Sequence, residues 1–228
     1  MSKKQPSMLL LLLQLKEFNI SFHFEILQGI TPQQQPDLPE NKLNKTFHYK
    51  LLNLSGFNPC TRGINEASLP DYQTIKEISP EKVLQENDYL IACKGEVRGY
   101  SMVNSKTVME ELKKHTPHDG IVASNHFLIL RTRMRENMES SEIRFLHNVM
   151  DILIPELRKL GSSKTGAAKY LTINEVANFR FNYPGTEYSE IEKFDAISIR
   201  YLEKLHEFEA VKKELDIYNR DLAWKIIK

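Results

Sequence analysis

The chain has 228 residues, enough for one sizeable hydrophobic core with an extended element, or for two small domains. Apolar residues make up 41% of the sequence, charged residues 27%, and the formal net charge is +1. These values are typical of a globular protein and argue against DNA binding by bulk positive charge, while leaving room for a local basic groove.

The cysteines and the N-terminal apolar run bear on the compartment. Cys60 and Cys93 lie far apart and form no CxxC pair, so we expect neither a disulfide framework nor a cysteine zinc site. The apolar run Met8–Leu13 is soon interrupted by polar and charged residues, and no small-residue cleavage site follows. A transmembrane helix needs about 20 apolar residues. We therefore expect a cytoplasmic protein with no membrane partner.

The chain opens with an apolar region that extends to about Leu27. Its last part, Ile20–Ile26, has apolar residues at every second position, which predicts a strand. The stretch Gln28–Lys45 contains three prolines and is predicted to be a loop. From Thr46 to about Pro184, turn residues bound several short apolar runs, which predict a mainly β core with inserted helices. These runs are Phe47–Leu54, Tyr89–Cys93, Ile121–Ala123 and Phe127–Leu130.

Two helices are predicted within this region. One is Val108–His115, and the other is Ser140–Leu160, where apolar residues recur at helical spacing. Gly161 stands where a helix C-cap glycine belongs.

After Pro184-Gly185 the chain contains neither proline nor glycine, and its apolar residues step by three or four, with a mean step of about 3.5. This spacing predicts a long coiled-coil helix of about 55 Å. The apolar seam either folds back onto its own domain or, as we favour, pairs with another helix. The residues predicted to form the seam are Ile191, Phe194, Ile197, Tyr201, Leu205, Phe208, Leu215 and Leu222.

Signatures of methyltransferases and ATPases fail at named residues. An adenine methyltransferase needs Asn-Pro-Pro-Tyr or a close variant, whereas the nearest match is Asn58-Pro59-Cys60-Thr61, with no Gly-rich cofactor loop beside it. A phosphate-binding loop needs Lys and Ser or Thr after its second glycine. Ala167 and Ala168 follow Gly166 at those positions, so neither activity is expected.

Nuclease and metal-site patterns are also incomplete. Pro70-Asp71 and Lys94 have suggestive spacing for a metal-dependent nuclease, but Ala92 occupies the position of the second carboxylate. His115 and His118-Asp119 are interpreted as a solvated loop, because no further ligands stand at metal-site spacing. An unrecognised nuclease stays open as a minor hypothesis, and no metal or cofactor is expected.

Polar loops follow or precede several predicted strands. The strand ending at Lys94-Gly95 leads into a basic loop that reaches Arg98, and Ala123–His126 precedes the strand Phe127–Arg131. A third strand near Tyr170–Ile173 is predicted to follow the polar loop Ser162–Thr165. Lys, Arg, Asn and Thr in such loops suit contacts with phosphates and bases, although ordinary solvated loops have the same composition.

The order of these segments resembles the target recognition domain of type I restriction-modification specificity subunits. The similar segments are, in order, Gly29-Ile30-Thr31-Pro32, Asn87–Gly95, Ala123–Phe127, Tyr170–Pro184 and the helix from Ser189 onward. The chain departs from the family pattern at Phe181-Asn182-Tyr183-Pro184, which has one proline instead of two, and in its N-terminal leucine run.

The resemblance implies an α+β fold: a mainly β target recognition domain with inserted helices in residues 1–186, followed by one long coiled-coil helix in residues 187–228. It implies a non-catalytic, DNA-reading subunit without cofactor that positions a methyltransferase subunit and, in restriction complexes, a restriction subunit on double-stranded DNA. Full-length members have two recognition domains and two long helices, so a half-length member is expected to form a homodimer through its helix and to read an inverted repeat.

Loop position and residue type select the candidate DNA contacts within this resemblance. They are Gln33, Arg62, Lys94, Arg98, Asn125, Lys164 and Thr165. The alternative from another class is a protein-interaction adaptor that acts through its coiled-coil helix without contacting DNA.

Overall fold

The computed structural model describes residues 16–32, 46–57, 64, 69–102, 119–133, 139–162, 170–183 and 188–227. It divides into two compact units, Met1–Gly185 and Thr186–Lys228. The first unit contains strands β1 Lys16–Asn19, β2 Phe24–Gln28, β3 Phe47–Leu52, β4 Asp71–Thr74, β5 Asp88–Ala92, β6 Arg98–Ser101, β7 Ile121–Ala123, β8 Phe127–Thr132 and β9 Arg180–Tyr183. Its helices are α1 Ile20–His23, α2 Ser140–Ser162 and α3 Ile173–Ala177, and the second unit contains α4 Tyr188–Ile227. The predicted α+β class is therefore confirmed.

In the part of the chain that the structure describes, the strands form three sheets. The largest has the antiparallel order β2-β8-β5-β6, and its central pair aligns Asp88 with Arg131 and Ala92 with Phe127. A second sheet has the order β4-β3-β7, in which β3 and β7 are parallel. The third joins β1 to β9 in antiparallel register. Strands were predicted from four apolar runs, and β3, β5, β7 and β8 lie in those runs.

Both faces of the β2-β8-β5-β6 sheet are covered, because alternate residues of its central strands enter different cores. Tyr89 and Ile91 face the apolar side of α2, whereas Leu90 and Ala92 face the second sheet. Each fully buried aliphatic side chain contributes about 1.5–3 kcal/mol relative to exposure. Burial on both faces explains why these strands are continuous apolar runs. The α2 residues that reach the first core are Leu146, Met150, Ile154 and Leu157.

A buried ion pair ties the start of β5 to β8. Arg131 donates from Nε to Asp88 Oδ1 and from Nη2 to Asp88 Oδ2, both at 2.8 Å, and Asp88 is fully buried. The backbone N–H of Gln85 donates to the same carboxylate at 2.8 Å, and Arg131 also donates to the carbonyls of Glu81 and Val83. The hydrogen bonds that Arg131 donates to Asp88 raise the pKa of Arg131. The pair therefore fixes the segment before β5 against the sheet.

The strand predicted for Ile20–Ile26 is wrong in its first half. Ile20–His23 forms the helical turn α1, and strand geometry starts at Phe24. A continuous strand would turn Phe22 and Phe24 to the same face. The turn separates them, so that Phe24 is buried while Phe22 is about half exposed, and Ile20 N donates to the carbonyl of Phe179 at 3.2 Å.

Two further predictions need correction near the end of α2. Gly161 does not cap the helix, which continues to Ser162; among the described glycines, positive φ occurs at Gly95 and Gly120. The strand predicted near Tyr170–Ile173 is reduced to an isolated bridge between Lys94 and Tyr170, because α3 begins directly afterwards.

The start of α3 is set by a capping box. Thr172 Oγ1 accepts from the N–H of Glu175 at 3.3 Å, and the N–H of Thr172 donates to Glu175 Oε2 at 2.8 Å. These reciprocal bonds satisfy backbone donors that a helix start leaves without partners. The predicted helix Val108–His115 lies outside the described residues.

Helix α4 is continuous from Tyr188 to Ile227, over 40 residues. Ile191 is buried, whereas Ile197, Tyr201, Phe208 and Leu215 are each more than half exposed. The side chains of Phe194, Leu205 and Leu222 lie outside the described set. The helix itself was predicted, and its pairing as a coiled coil stays a prediction. In the described part of the chain, no helix combines the length and apolar character needed to cross a bilayer.

Candidate nucleic-acid interface

Four chain segments meet around a cavity of about 520 Å³ at one end of the large sheet. They are the end of β2 with the loop after it, the residues directly after β5, the turn between β7 and β8, and the start of α3. We call this space the Lys94 cavity. It is lined by Gln28, Thr31, Cys93, Lys94, Asn125, Tyr170, Leu171, Thr172, Ile173 and Asn174.

Backbone hydrogen bonds hold these segments together. Cys93 N donates to the carbonyl of His126, and Leu171 N donates to the carbonyl of Cys93, both at 2.8 Å. Gly95, with φ of 81°, turns the chain away after Lys94, a conformation that residues with a Cβ rarely adopt. The peptide groups that position Lys94 and Tyr170 therefore belong to one hydrogen-bonded assembly.

Gln28 joins three of the segments through one side chain. Its Nε2 donates to the carbonyls of Asn125 and Phe127, each at 3.1 Å, and lies 3.9 Å from Cys93 Sγ. Burial raises the pKa of the Cys93 thiol, while the Gln28 hydrogen bond and the Lys94 charge act in the opposite direction. Since only the thiolate is strongly nucleophilic, this neutral, buried thiol is suited to packing and not to covalent chemistry.

The exposed rim of the Lys94 cavity is polar and carries one cation. Lys94, Thr31 and Asn174 are exposed, Asn125 is half-buried, and the Tyr170 ring is 46% exposed. Ammonium, hydroxyl, amide and aromatic groups together suit contacts to phosphates and base edges. The rim therefore offers the chemistry that nucleic-acid recognition requires.

A second cavity, of about 580 Å³, lies beside the loop between β5 and β6. Arg98 Nη2 donates to Glu96 Oε2 there, and Arg158 Nη2 lies 3.6 Å from Glu96 Oε1. This hydrogen bond lowers the pKa of Glu96 and raises the pKa of Arg98. We call this the Arg98 cavity; it is lined by Leu54, Phe57, Glu96, Arg98, Gly99, Tyr100, Asp151, Ile154, Pro155 and Arg158.

The structure brings together some of the predicted DNA contacts and separates others. Lys94 and Asn125 line the same cavity, whereas Arg98 lines the other one and is engaged by Glu96. The remaining candidates, Gln33, Arg62, Lys164 and Thr165, lie outside the described residues.

Sequence reasoning missed three residues of the cavity's exposed polar rim: Thr31, Tyr170 and Asn174. Thr31 belongs to a segment that carried the family resemblance, so it could have been chosen. Tyr170 was assigned to a predicted strand, and Asn174 directly follows that strand. The Thr172-x-x-Glu175 capping pattern could have indicated instead that a helix begins here.

Carboxylates that entered the rejected catalytic patterns have local partners. Asp71 Oδ1 lies 2.7 Å from Lys50 Nζ, and Asp119 Oδ2 accepts from the backbone N–H of His48 at 2.8 Å. Among the described residues, no group of three or more His, Cys, Asp and Glu side chains is arranged to hold a metal. Asn58–Thr61, His115, His118 and the Gly166–Ala168 segment lie outside the described residues.

No family model matches this sequence, and no curated protein matches it. Three solved structures from type I restriction-modification systems are similar to it. The first, from a study of complex assembly and conformational transition in the type I R-M system, is 13% identical over 97% of this chain and 45% of its own, with a TM-score of 0.52. The HsdS subunit from Thermoanaerobacter tengcongensis is 15% identical, covering 93% and 41%, with a TM-score of 0.46. The S subunit from M. genitalium is 11% identical, covering 92% and 43%, with a TM-score of 0.46.

The first of these structures shows a fold shared along nearly the whole chain. The chain spans less than half the length of each of the three. The fold is thus similar to one found in a type I R-M system, in agreement with the sequence resemblance.

Proposed function

We propose that this chain is a sequence-specific DNA-binding subunit of a type I-like restriction-modification system. In this role it is non-catalytic and positions a methyltransferase subunit, and a restriction subunit where one is present, on double-stranded DNA. The observation that carries the proposal is the polar Lys94 cavity, built by four segments of a fold similar to that of specificity subunits.

Within this proposal the two cavities have different tasks. Lys94 contacts a backbone phosphate and Asn125 a base edge, while Arg98 binds a neighbouring phosphate after leaving Glu96. The near-zero net charge fits a reader whose affinity comes from a few local cations and from partner subunits. Gln33, Arg62, Lys164 and Thr165 are proposed to extend this contact surface.

Helix α4 is proposed to pair with another helix as a coiled coil. Ile197, Tyr201, Phe208 and Leu215 expose large apolar side chains, and a partner helix would bury this seam. A homodimer formed in this way contains two recognition domains related by a two-fold axis, and it reads an inverted repeat. The same seam is also available to a methyltransferase subunit.

Co-purification with the products of neighbouring genes, followed by mass measurement, tests the class of complex. We expect a stable assembly with a methyltransferase subunit. The assembly, and the chain alone, are then titrated with random duplex DNA at low and high salt. We expect retardation that weakens with salt, because each neutralised phosphate contributes about 0.9 to the log–log slope.

The double variant Lys94→Ala/Arg98→Ala tests the assigned surface. We expect weaker binding by the assembled complex and a shallower salt slope, by up to about two phosphate contacts. Lys159→Ala is the matched control, because Lys159 is an exposed lysine of α2 that lines neither cavity. Equal affinities of the double variant and the native complex would exclude this surface as the DNA contact.

A protein-interaction adaptor is the alternative that the exposed apolar residues of α4 favour. It predicts a stable complex through the helix and no salt-dependent retardation of DNA by either the chain or the assembly. Magnesium-dependent cleavage of plasmid would instead indicate a nuclease.

A further inference from the structure

The loop after β2 is clamped against the turn between β7 and β8. Gly29 N donates to the carbonyl of Phe127 at 3.0 Å, and Ile30 N donates to the carbonyl of Ala123 at 2.8 Å. A Cβ on Gly29 would lie 2.2 Å from the carbonyl oxygen of Ser124, so only glycine permits this approach. The backbone therefore sets the separation between the residues that follow on each side.

Thr31 and Asn125 meet across this clamp. Asn125 Nδ2 donates to Thr31 Oγ1 at 3.2 Å, from segments 94 residues apart in sequence. This hydrogen bond places the Nδ2 end of the Asn125 amide against the Thr31 hydroxyl, which accepts from it. It leaves Asn125 with Oδ1 as an acceptor and with one Nδ2 hydrogen to donate.

We propose that Thr31 is a positioning residue that orients Asn125 to recognise adenine in the major groove. This inference rests on the proposed DNA-reading function and identifies the base type read at one position. Adenine presents the N6 amino group as donor and N7 as acceptor, which matches Oδ1 and the remaining Nδ2 hydrogen. Guanine presents two acceptors on the same edge, so Oδ1 would face O6 without a proton between them.

The surroundings of the pair suit a base edge. Thr31 is exposed and Asn125 half-buried, and both residues line the Lys94 cavity. Gln28 anchors the main chain of Asn125 by donating to its carbonyl at 3.1 Å. Lys94 on the same rim offers the cation for an adjacent phosphate.

Selection from a randomised duplex library, with the chain in complex with its co-purified partners, measures the base preference at each position. The native protein is compared with Thr31→Val, which keeps the shape and removes the hydroxyl, and with Thr31→Ser, which restores it. Asn125→Ala identifies the position that Asn125 reads. We expect adenine preference there to fall about tenfold in Asn125→Ala and about three- to tenfold in Thr31→Val, while Thr31→Ser stays close to native.

The outcomes separate the two levels of the proposal. If the native complex selects no sequence, DNA reading itself fails, and the role of Thr31 fails with it. If the native complex selects a motif that Thr31→Val leaves unchanged, or alters at a different position from Asn125→Ala, only the positioning role is overturned. A preference other than adenine at the Asn125 position also overturns it. Unchanged thermal melting of the Thr31 variants shows that both are folded, since Thr31 is exposed.

Asn125→Asp gives an independent measurement of the same edge. A carboxylate keeps the acceptor but cannot donate to N7, so it suits the C4 amino group of cytosine. We expect the preference at this one position to move from adenine towards cytosine. Retained adenine preference in Asn125→Asp would contradict the assigned hydrogen bonds.

Discussion

Two arginine–carboxylate pairs stand at opposite ends of β5, and they differ in how far water reaches them. Asp88 is fully buried and Arg131 donates to both of its oxygens, whereas the Glu96 and Arg98 side chains are each about half exposed. A buried pair is costly to break, because removing one partner leaves an uncompensated charge. An exposed pair contributes little to folding, so its cation remains available to a ligand. An arginine–carboxylate pair therefore fixes structure at one end of β5, and we propose that the pair at the other end serves recognition.

The buried end of β5 contains a second polar group whose ionisation is restricted. His147 Nδ1 lies 2.7 Å from Ser101 Oγ, and its ring packs edge-on against Tyr89 with centroids 5.3 Å apart. Burial lowers the pKa of His147 to about 4, with a smaller opposite effect from the Asn87 backbone. The buried end thus holds one charge pair and one neutral imidazole in fixed positions.

Replacing the buried carboxylate of Asp88 is expected to have the largest effect on stability and tests the difference between the two ion pairs. Asp88→Ala leaves the Arg131 guanidinium, with its side chain 15% exposed, without its anionic partner, and we expect a loss of about 3–5 kcal/mol in unfolding free energy. Urea denaturation of the purified chain measures this loss. Glu96→Ala is the matched control and is expected to leave the midpoint unchanged. Equal shifts in the two variants would show that burial does not distinguish the pairs.

The His147 imidazole predicts a pH dependence of stability. Between pH 6.5 and about 4 the unfolded chain binds a proton that the folded chain excludes, so stability falls as pH decreases through this window. The difference between the two pKa values corresponds to about 3 kcal/mol. Urea midpoints measured from pH 7 to pH 4 test this contribution, and we expect them to decrease as the pH falls.

Matched histidine variants isolate that contribution. His147→Gln is expected to flatten the pH dependence, because it removes the titrating group and retains hydrogen-bonding atoms. His126→Gln, at an exposed histidine, is expected to leave the native slope. If the native slope persists in His147→Gln, another group causes the pH dependence.

The same distinction explains how much of the fold could be predicted. Residues 89–92 and 127–130 are buried on both sheet faces, so their composition alone identified strands β5 and β8. The turn at Ile20–His23 was missed because its alternating pattern resembles a strand and its cause is tertiary, a bond to Phe179. Helix α3 has a local signal, the Thr172–Glu175 capping box, that outweighs the short apolar pattern before it.

The candidate site was predictable only in part, for a similar reason. Residue type and strand-end position selected Lys94 and Asn125, which do line one cavity. Arg98 was grouped with them because it is four residues from Lys94. It lies in the other cavity because Gly95 turns the chain and β6 begins at Arg98 itself. Such separation depends on backbone geometry and on the Glu96 contact, and composition records neither.

The smallest expected effect is a change in duplex affinity when the exposed Glu96–Arg98 pair is broken, and it tests whether Arg98 contacts DNA. Glu96→Gln weakens the hold on Arg98 and on Arg158, so both guanidiniums become available to phosphates. We expect duplex affinity of the complex to rise about two- to threefold, because Arg98 no longer has to leave a carboxylate, and the salt slope to steepen by up to about 0.9 if Arg158 adds a phosphate contact. Glu156→Gln is the matched control, since it removes the same charge from an exposed pair with Lys159 and leaves Arg98 engaged. Equal increases in both variants would mean that net charge alone is responsible. No increase in Glu96→Gln would place Arg98 outside the DNA contact and leave the Lys94 cavity as the sole described reading surface.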